Sequence, residues 1–138
     1  MTQANIRTTV TLKQAADLIL ACPGNRFLLQ GEPGIGKSSI IKMLQEKTGY
    51  ATAYIDVPNM DLGDIAMPVV DHERRITRYY PNARFRLHEG KPVIIMLDEY
   101  TKGPDPVKNM LHPTLEAHYP RLGDIPIAPE SIVFLTGN

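Results

Sequence analysis

The sequence predicts an α/β fold in which a mostly parallel central sheet lies between two layers of helices. Short apolar runs of strand length alternate along the chain with stretches of helical periodicity, which is the order that a parallel sheet requires. One run, residues 93–97 (VIIML), is apolar without interruption and is typical of a central strand covered on both faces. With 138 residues, the chain is predicted to form one domain with a three-layer α/β/α sandwich.

The first predicted element is a helix over residues 12–21. Thr11 is a suitable N-cap, the apolar residues recur every three or four positions, and Pro23-Gly24 ends the pattern. Residues 26–30 (RFLLQ) then form a short apolar run, which predicts a buried strand. A helix followed by a strand opens the predicted sandwich.

A glycine-rich motif follows this strand directly. Residues 31–38 read GEPGIGKS and fit the pattern G-x-x-x-x-G-K-[ST] of the phosphate-binding P-loop. Residues 39–48 predict a helix with Ile40, Ile41 and Leu44 on one face. Strand, glycine-rich turn and helix are the context that this motif requires, so the sequence predicts binding of a nucleoside triphosphate with magnesium.

The chemistry of such a loop assigns a role to each residue. Glycines allow the backbone to turn successive N–H groups toward a phosphate, and the helix that follows directs its positive end at the same anion. Lys37 is expected to reach the outer phosphates, and the Ser38 hydroxyl to bind Mg²⁺. The predicted nucleotide contacts are Glu32, Pro33, Gly34, Ile35, Gly36, Lys37, Ser38 and Ser39.

The segment between the P-loop helix and the next long apolar run is less regular. Gly49 is expected to end the helix, and alternation of apolar and polar residues predicts a second strand over residues 51–57. Residues 59–68 are expected to be irregular or briefly helical, and residues 69–87 to form an inserted hairpin or an extended excursion.

The predicted hairpin combines arginines with aromatic residues. Such a mixture can hold single-stranded nucleic acid through charge and stacking, whereas the alternative is a solvated hairpin whose aromatic rings pack on the domain. The sequence favours the second interpretation, because the net charge of the chain is zero, with 15 basic and 15 acidic residues. The residues concerned are Arg74, Arg75, Arg78, Arg84, Arg86, Tyr79, Tyr80 and Phe85.

Two acidic residues, Asp98 and Glu99, end the central apolar run. Ligands of open α/β sheets bind at the carboxyl ends of the strands, so both side chains are expected beside the P-loop. Asp98 is then a candidate for the magnesium shell, and Glu99 for orienting or deprotonating an attacking water. An acidic pair that merely ends a strand is the alternative.

The remaining elements complete the pattern. A helix is predicted from residue 105 and is interrupted by Pro113, whose ring and missing N–H break the helical ladder. Residues 132–135 predict the last strand, which Thr136-Gly137-Asn138 follow. The Asn138 amide could hold the attacking water or contact the γ-phosphate; the alternative is a turn residue.

Composition indicates the class of protein and its compartment. Cys22 is the one cysteine, which excludes an internal disulfide framework and fits a reducing compartment. The chain contains no signal-peptide pattern and no apolar run long enough to span a bilayer. We therefore expect a cytoplasmic protein that has no membrane partner.

Together these motifs resemble those of the AAA+ ATPases. GEPGIGKS resembles Walker A, VIIMLDE resembles Walker B, and FLTGN resembles the strand that carries the sensor-1 asparagine. Between them, the sequence is similar to the MoxR-type branch, near the dynein-related subfamily. The residues that carry this second similarity are Asp61-Leu62-Gly63-Asp64, Pro81, Phe85, Glu89-Gly90 and residues 115–121 (LEAHYPR).

This resemblance implies a function. It implies Mg²⁺-dependent ATP hydrolysis by a homo-oligomeric ring that remodels a protein client, with Lys37, Glu99 and Asn138 in catalysis and Ser38 and Asp98 at the metal. The inserted hairpin would then face the central pore or a client. A DNA-associated ATPase such as a helicase loader is the alternative, and a small-molecule kinase fits poorly, because such enzymes rarely need both an Asp-Glu pair and a sensor asparagine.

The sequence also departs from the family pattern. AAA+ proteins carry a fifth strand, a helical lid with sensor 2 and usually an arginine finger after sensor 1, whereas this chain stops at Asn138. We therefore expect residues 1–138 to be a nucleotide-binding core that is incomplete at its C-terminus and weakly active alone. The first strand should then be an edge of the sheet. No arginine, Arg121 included, is assigned as the finger.

Overall fold

The computed structural model describes residues 10–31, 36, 37 and 39–137, and these residues form a four-stranded parallel sheet flanked by helices. The helices are α1 (Leu12–Ala21), α2 (Ser39–Thr48) and α3 (Asp105–Leu111). The strands are β1 (Phe27–Gln30), β2 (Ala51–Asp56), β3 (Ala66–Asp71), β4 (Ile76–Pro81), β5 (Val93–Asp98), β6 (Arg121–Leu122), β7 (Ile125–Pro126) and β8 (Ile132–Gly137). The parallel sheet has the strand order β1-β8-β5-β2, and two separate two-stranded antiparallel sheets pair β3 with β4 and β6 with β7.

Strand β5 lies at the centre of the structure and divides the core in two. Because successive side chains of a strand point to opposite faces, Ile94 and Met96 pack in one cluster with α1 and α2. Val93, Ile95 and Leu97 pack in the other cluster with α3. All five side chains are buried. The predicted α/β fold, with a mostly parallel sheet between helices, is confirmed.

The predicted first helix is also confirmed, because its sequence satisfies its own N-terminus. The Thr11 hydroxyl accepts a hydrogen bond from the Gln14 N–H at 3.1 Å, and the Gln14 side chain accepts one from the Thr11 N–H at 2.9 Å. This capping box fixes where α1 begins. Ala15, Ala16 and Ile19 form its buried face.

Strand β1 occupies an edge of the sheet, pairing with β8 on one side. The edge position is confirmed, but the expectation that this run is a buried strand is wrong. Phe27 and Leu29 contact the core beneath α1 and α2, whereas Leu28 on the opposite face is 47% exposed. An edge strand lacks neighbours on one side, so its outer residues are not fully covered.

The inserted hairpin is confirmed, beginning at Ala66 rather than at residue 69. The small β6–β7 hairpin, which the sequence did not predict, fastens it to the domain. Asp124 accepts a hydrogen bond from the Tyr79 N–H at 2.6 Å, and its own N–H donates to the Tyr79 carbonyl at 2.9 Å. Gly123 lies against the backbone of Tyr79, and a Cβ at this position would be only 2.5 Å from the Tyr79 carbonyl oxygen.

Two predicted boundaries differ from the structure. Strand β2 ends at Asp56, and Val57 begins a 3₁₀ turn with Pro58 in its first positions. Strand β8 continues through Gly137, so Thr136 belongs to the strand rather than to a following turn. The predicted interruption by Pro113 is confirmed, because α3 ends at Leu111 and residues 112–115 continue as a 3₁₀ turn.

Candidate nucleotide site

The carboxyl ends of β1, β5 and β8 meet at one end of the sheet. There the Gly31 N–H donates to the Gly137 carbonyl at 3.3 Å, which joins the start of the P-loop motif to the end of β8. The Glu99 N–H donates to the Thr136 hydroxyl at 3.1 Å, which joins the end of β5 to the same strand. The three motifs predicted from sequence are therefore neighbours in space.

Lys37 reaches across this end of the sheet. Its ammonium donates to the Gly137 carbonyl at 2.9 Å and to the Gly31 carbonyl at 3.4 Å, and its side chain is 10% exposed. Gly36, just before it, has φ +82°, which favours glycine. The Gly36 carbonyl accepts hydrogen bonds from the Ser39 N–H at 2.8 Å and the Ser39 hydroxyl at 2.6 Å. This turn sets Lys37 at the beginning of α2.

Glu99 lies between two ammonium groups. Its Oε1 is 4.0 Å from the Lys37 Nζ, and its Oε2 is 3.5 Å from the Lys102 Nζ. Glu99 adopts φ +53°, a left-handed conformation that is uncommon for a residue with a Cβ. Strained backbone of this kind is found at functional sites. Within the described ranges Oε2 is buried and accepts no hydrogen bond, so it retains lone pairs that could take a proton.

Asp98 is held by hydroxyl groups from both neighbouring strands. Tyr54 of β2 donates to Oδ2, and Thr136 of β8 donates to Oδ1. The hydrogen bond to Asp98 is the main reason that the pKa of Tyr54 rises to about 12; burial and the charges of Asp98, Asp56 and Glu99 add to it. Tyr54 therefore stays protonated near neutral pH and can act as a donor.

Several predicted site residues lie outside the described residues: Glu32, Pro33, Gly34, Ile35, Ser38 and Asn138. The structure brings together Gly36, Lys37, Ser39, Asp98 and Glu99.

Sequence reasoning missed three further residues at this end of the sheet, namely Tyr54, Thr136 and Lys102. Thr136 carried a usable signal, because a hydroxyl close to the carboxyl end of a parallel strand can reach an acidic residue at the end of the neighbouring strand. Tyr54 lies inside β2, and its contact with Asp98 depends on the register between β2 and β5. Lys102 carried none, because its contact with Glu99 depends on the tight turn over Tyr100–Lys102.

The donors present suit the two ligands that the motif predicts. Carboxylate oxygens are among the hard ligands that Mg²⁺ binds, and Asp98 supplies them at the end of β5. Lys37 and the start of α2 supply positive charge and N–H groups, which suit a phosphate chain. The described residues thus fit a nucleotide with its magnesium ion.

The arginine-rich hairpin forms a sheet separate from the one that carries this site, and it exposes most of its side chains. Tyr79 and Tyr80 are 45% and 44% exposed, so the expectation that the hairpin's aromatic rings pack on the domain is wrong for both. It holds for Phe85, which follows the hairpin and is fully buried. The apolar residues exposed on the two strands also include Met67, Val69, Val70 and Ile76.

Comparisons with known proteins identify the family of the chain and support its fold. Residues 27–104 match the model of the family described as "ATPase family associated with various cellular activities (AAA)". A crystal structure of a protein from Cytophaga hutchinsonii ATCC 33406, described as a "putative ATPase", superposes with a TM-score of 0.60 at 21% identity. The match covers 94% of this chain and 39% of that one, so the chain spans well under half the length of its structural neighbour.

No curated protein sequence matches the chain significantly. Among the helices of the described part of the chain, none has both the length and the apolar character needed to cross a membrane.

Proposed function

The chain belongs to the AAA family of ATPases, and from this premise we propose that it binds ATP with Mg²⁺ and hydrolyses the terminal phosphoanhydride bond. Membership of the family itself implies nucleotide binding. One observation carries the assignment of the reaction to particular residues. The Lys37 Nζ and the Glu99 Oε1, which belong to different motifs, lie 4.0 Å apart at the end of the sheet where β5 ends with Asp98.

In this proposal the chain's own residues divide the work. Lys37 neutralises charge on the outer phosphates, together with the loop residues Glu32–Ser39. Ser38 and Asp98 hold Mg²⁺, which when bound supplies positive charge to the phosphate oxygens. Asn138 orients the attacking water at the end of β8. Residues 1–138 form the nucleotide-binding core domain of the protein.

Glu99 is the proposed general base. Its carboxylate takes the proton of a water molecule as the water oxygen bonds to the γ-phosphorus and the bond to the bridging oxygen breaks, which gives ADP and inorganic phosphate. The lone pairs on its buried Oε2 and its position beside Lys37 support this role.

Substitution of Glu99 tests the proposal, because it separates binding from chemistry. Glu99→Gln keeps the size and hydrogen-bonding capacity of the side chain but removes the base. We expect phosphate release to fall by about 10²-fold or more while ATP binding persists. Glu73→Gln, in the exposed loop of the hairpin, is the matched control and should leave both unchanged. Parental turnover in Glu99→Gln would refute the role of Glu99.

The finer assignment is a MoxR-like ring that remodels a protein client, with neighbouring subunits completing each site. Its support is the similarity of residues 61–64, 81–90 and 115–121 to that branch. Light scattering with and without nucleotide tests assembly. Nucleotide-dependent formation of a ring by the complete protein would support the proposal, and a complete protein that stays monomeric at all concentrations would contradict it.

One observation favours a second candidate function, a DNA-associated ATPase. Arg75, Arg78, Tyr79 and Tyr80 are all exposed on or beside the same two-stranded hairpin, which is the combination that binds single-stranded nucleic acid. Binding of a fluorescent single strand should then weaken steeply with salt and fall in Arg75→Ala/Arg78→Ala. Absence of binding at low salt would eliminate this candidate.

A further inference from the structure

We propose that Tyr54 and Thr136 are positioning residues, whose hydroxyl groups hold the Asp98 carboxylate in the orientation that binds Mg²⁺ with the nucleotide. The inference rests on the proposed function, since it concerns the same site. It assigns the two hydroxyls a role that neither the P-loop motif nor the acidic pair predicts.

The two hydroxyls approach Asp98 from opposite sides. Tyr54 belongs to β2 and donates to Oδ2, whereas Thr136 belongs to β8 and donates to Oδ1. Each carboxylate oxygen therefore has its own donor, and rotation about the bond that carries the carboxylate would break both hydrogen bonds. Each carboxylate oxygen also keeps a second lone pair with which it can bind a metal ion.

Strand register explains why these three side chains meet. In β5, Ile94 and Met96 point toward α1 and α2, and by alternation Asp98 points to the same face. Tyr54 of β2 pairs with Met96 of β5 and therefore points to the same face of the sheet. In β8, Phe134 pairs with Met96, so Thr136 two residues on also shares it. Three adjacent strands thus direct one group each to the same place.

Packing alone does not account for Tyr54. Its side chain is 51% exposed, although it lies in a strand whose neighbours Ala53 and Ile55 are buried. The hydrogen bond to Asp98 is the one that the structure gives its hydroxyl. Thr136 differs, because it is fully buried and its hydroxyl also accepts from the Glu99 N–H. One hydroxyl thus links Asp98 to Glu99.

Fixing a carboxylate in this way affects metal affinity in a known direction. Groups that orient a metal ligand without touching the metal contribute about 10–100-fold to affinity, because the ligand does not have to be ordered when the metal binds. The alternative is that the hydroxyls compete with the metal for Asp98. Loss of a hydroxyl would then strengthen metal binding instead of weakening it.

The test is equilibrium binding of a fluorescent ATP analogue as Mg²⁺ is increased, which requires no turnover. For Tyr54→Phe we expect the half-saturating Mg²⁺ concentration to rise by about 10-fold, the lower end of the range because Tyr54 is half exposed. Binding in EDTA and the thermal midpoint should stay at parental values. A purely structural role would not change Mg²⁺ dependence in this selective way.

Tyr119→Phe is the matched control, since Tyr119 is 53% exposed and its ring contacts Arg121 rather than Asp98. It should leave the half-saturating Mg²⁺ concentration unchanged. For Thr136, the serine variant keeps the hydroxyl and should behave like the parent, whereas Thr136→Val should raise the half-saturating concentration. If the valine variant fails to fold, Tyr54→Phe still decides.

The possible outcomes distinguish failure of the positioning role from failure of the proposed nucleotide-binding function. An unchanged or lower half-saturating concentration in Tyr54→Phe overturns the positioning role alone. A parent chain whose nucleotide binding does not respond to Mg²⁺ overturns the proposed function and the positioning role together.

Discussion

The two polar regions of this molecule, the candidate nucleotide site and the β3–β4 hairpin, are built in opposite ways. At the nucleotide site, side chains extend from buried parallel strands and contact one another across strands, as Asp98 does with both of its neighbours. On the β3–β4 hairpin, most side chains face solvent, and hydrogen bonds between Tyr79 of β4 and Asp124 fasten the hairpin to the domain. The core therefore fixes the geometry of the first region, whereas a single turn holds the second.

Truncation of a large side chain in each region should show the largest difference. Phe134 is fully buried in β8 beneath α1 and α2, and Phe134→Ala should lower the free energy of unfolding by about 3–5 kcal/mol. Tyr80→Ala, on the exposed hairpin, should cost no more than about 0.5 kcal/mol. Urea denaturation measures both. Equal losses would mean that the hairpin is part of the cooperative core.

Removal of a positive charge from each region should affect nucleotide affinity differently. Lys37→Ala should weaken binding of ATP with Mg²⁺ by about 1.5–3 kcal/mol, one to two decades in affinity, because a charge-assisted hydrogen bond to phosphate is lost. Arg78→Ala removes one positive charge from the hairpin and should leave the affinity unchanged. Isothermal titration compares them. A similar loss in both would indicate a general electrostatic effect rather than a phosphate contact.

The attachment of the hairpin can be weakened by one methyl group. Gly123 has φ +59° and lies against Tyr79, so Gly123→Ala combines backbone strain of about 1–3 kcal/mol with a clash. Gly90 has φ +66° and open space around it, so Gly90→Ala is the matched control with strain alone. Hydrogen exchange at the Tyr79 amide should accelerate in Gly123→Ala only. Equal acceleration in both would show that the close approach does not hold the hairpin.

The smallest effect should come from removing an exposed ion pair in the segment that connects the hairpin to β5. Arg86 donates to Glu89 at 2.7 Å, and this hydrogen bond lowers the pKa of Glu89 from its ordinary 4.5. A lowered carboxyl pKa contributes stability above 4.5 that disappears as the pH falls through the folded-state value. Glu89→Gln should therefore reduce the thermal midpoint slightly at pH 6 and not at pH 2–3. An equal reduction at both pH values would contradict the assigned cause.

The sequence predicted the parallel sheet and most of the elements that carry the site, because periodicity, the N-cap residue Thr11 and the helix-ending Gly49 are local signals. It did not predict the β6–β7 hairpin. Those strands have two residues each, and the Gly123–Asp124 turn acquires its meaning from Tyr79, more than forty residues earlier. Local patterns cannot contain such a contact.

The same limit applies to the candidate site. Lys37, Asp98 and Glu99 were identified because a motif or an acidic pair at a strand end marks them. Tyr54 appeared as one polar residue in an alternating strand, and its partner lies 44 positions away. Only the register between β2 and β5 brings the two together. Supporting residues of this kind depend on the fold, whereas the residues they support are marked in the sequence.

Pro68 decides how the hairpin can be recognised by another molecule. Pro68 of β3 is paired with Tyr79 of β4, whose N–H and carbonyl both form hydrogen bonds with Asp124 and therefore point away from β3. Pro68 and Tyr79 thus exchange no hydrogen bonds, and the backbone of Pro68 faces the edge of β3 that is remote from β4. A proline there has no N–H to offer, while Asp124 already occupies the opposite edge. Addition of a partner strand is therefore obstructed along both margins. A molecule that binds the β3–β4 hairpin must therefore contact the side chains on the faces of its two strands.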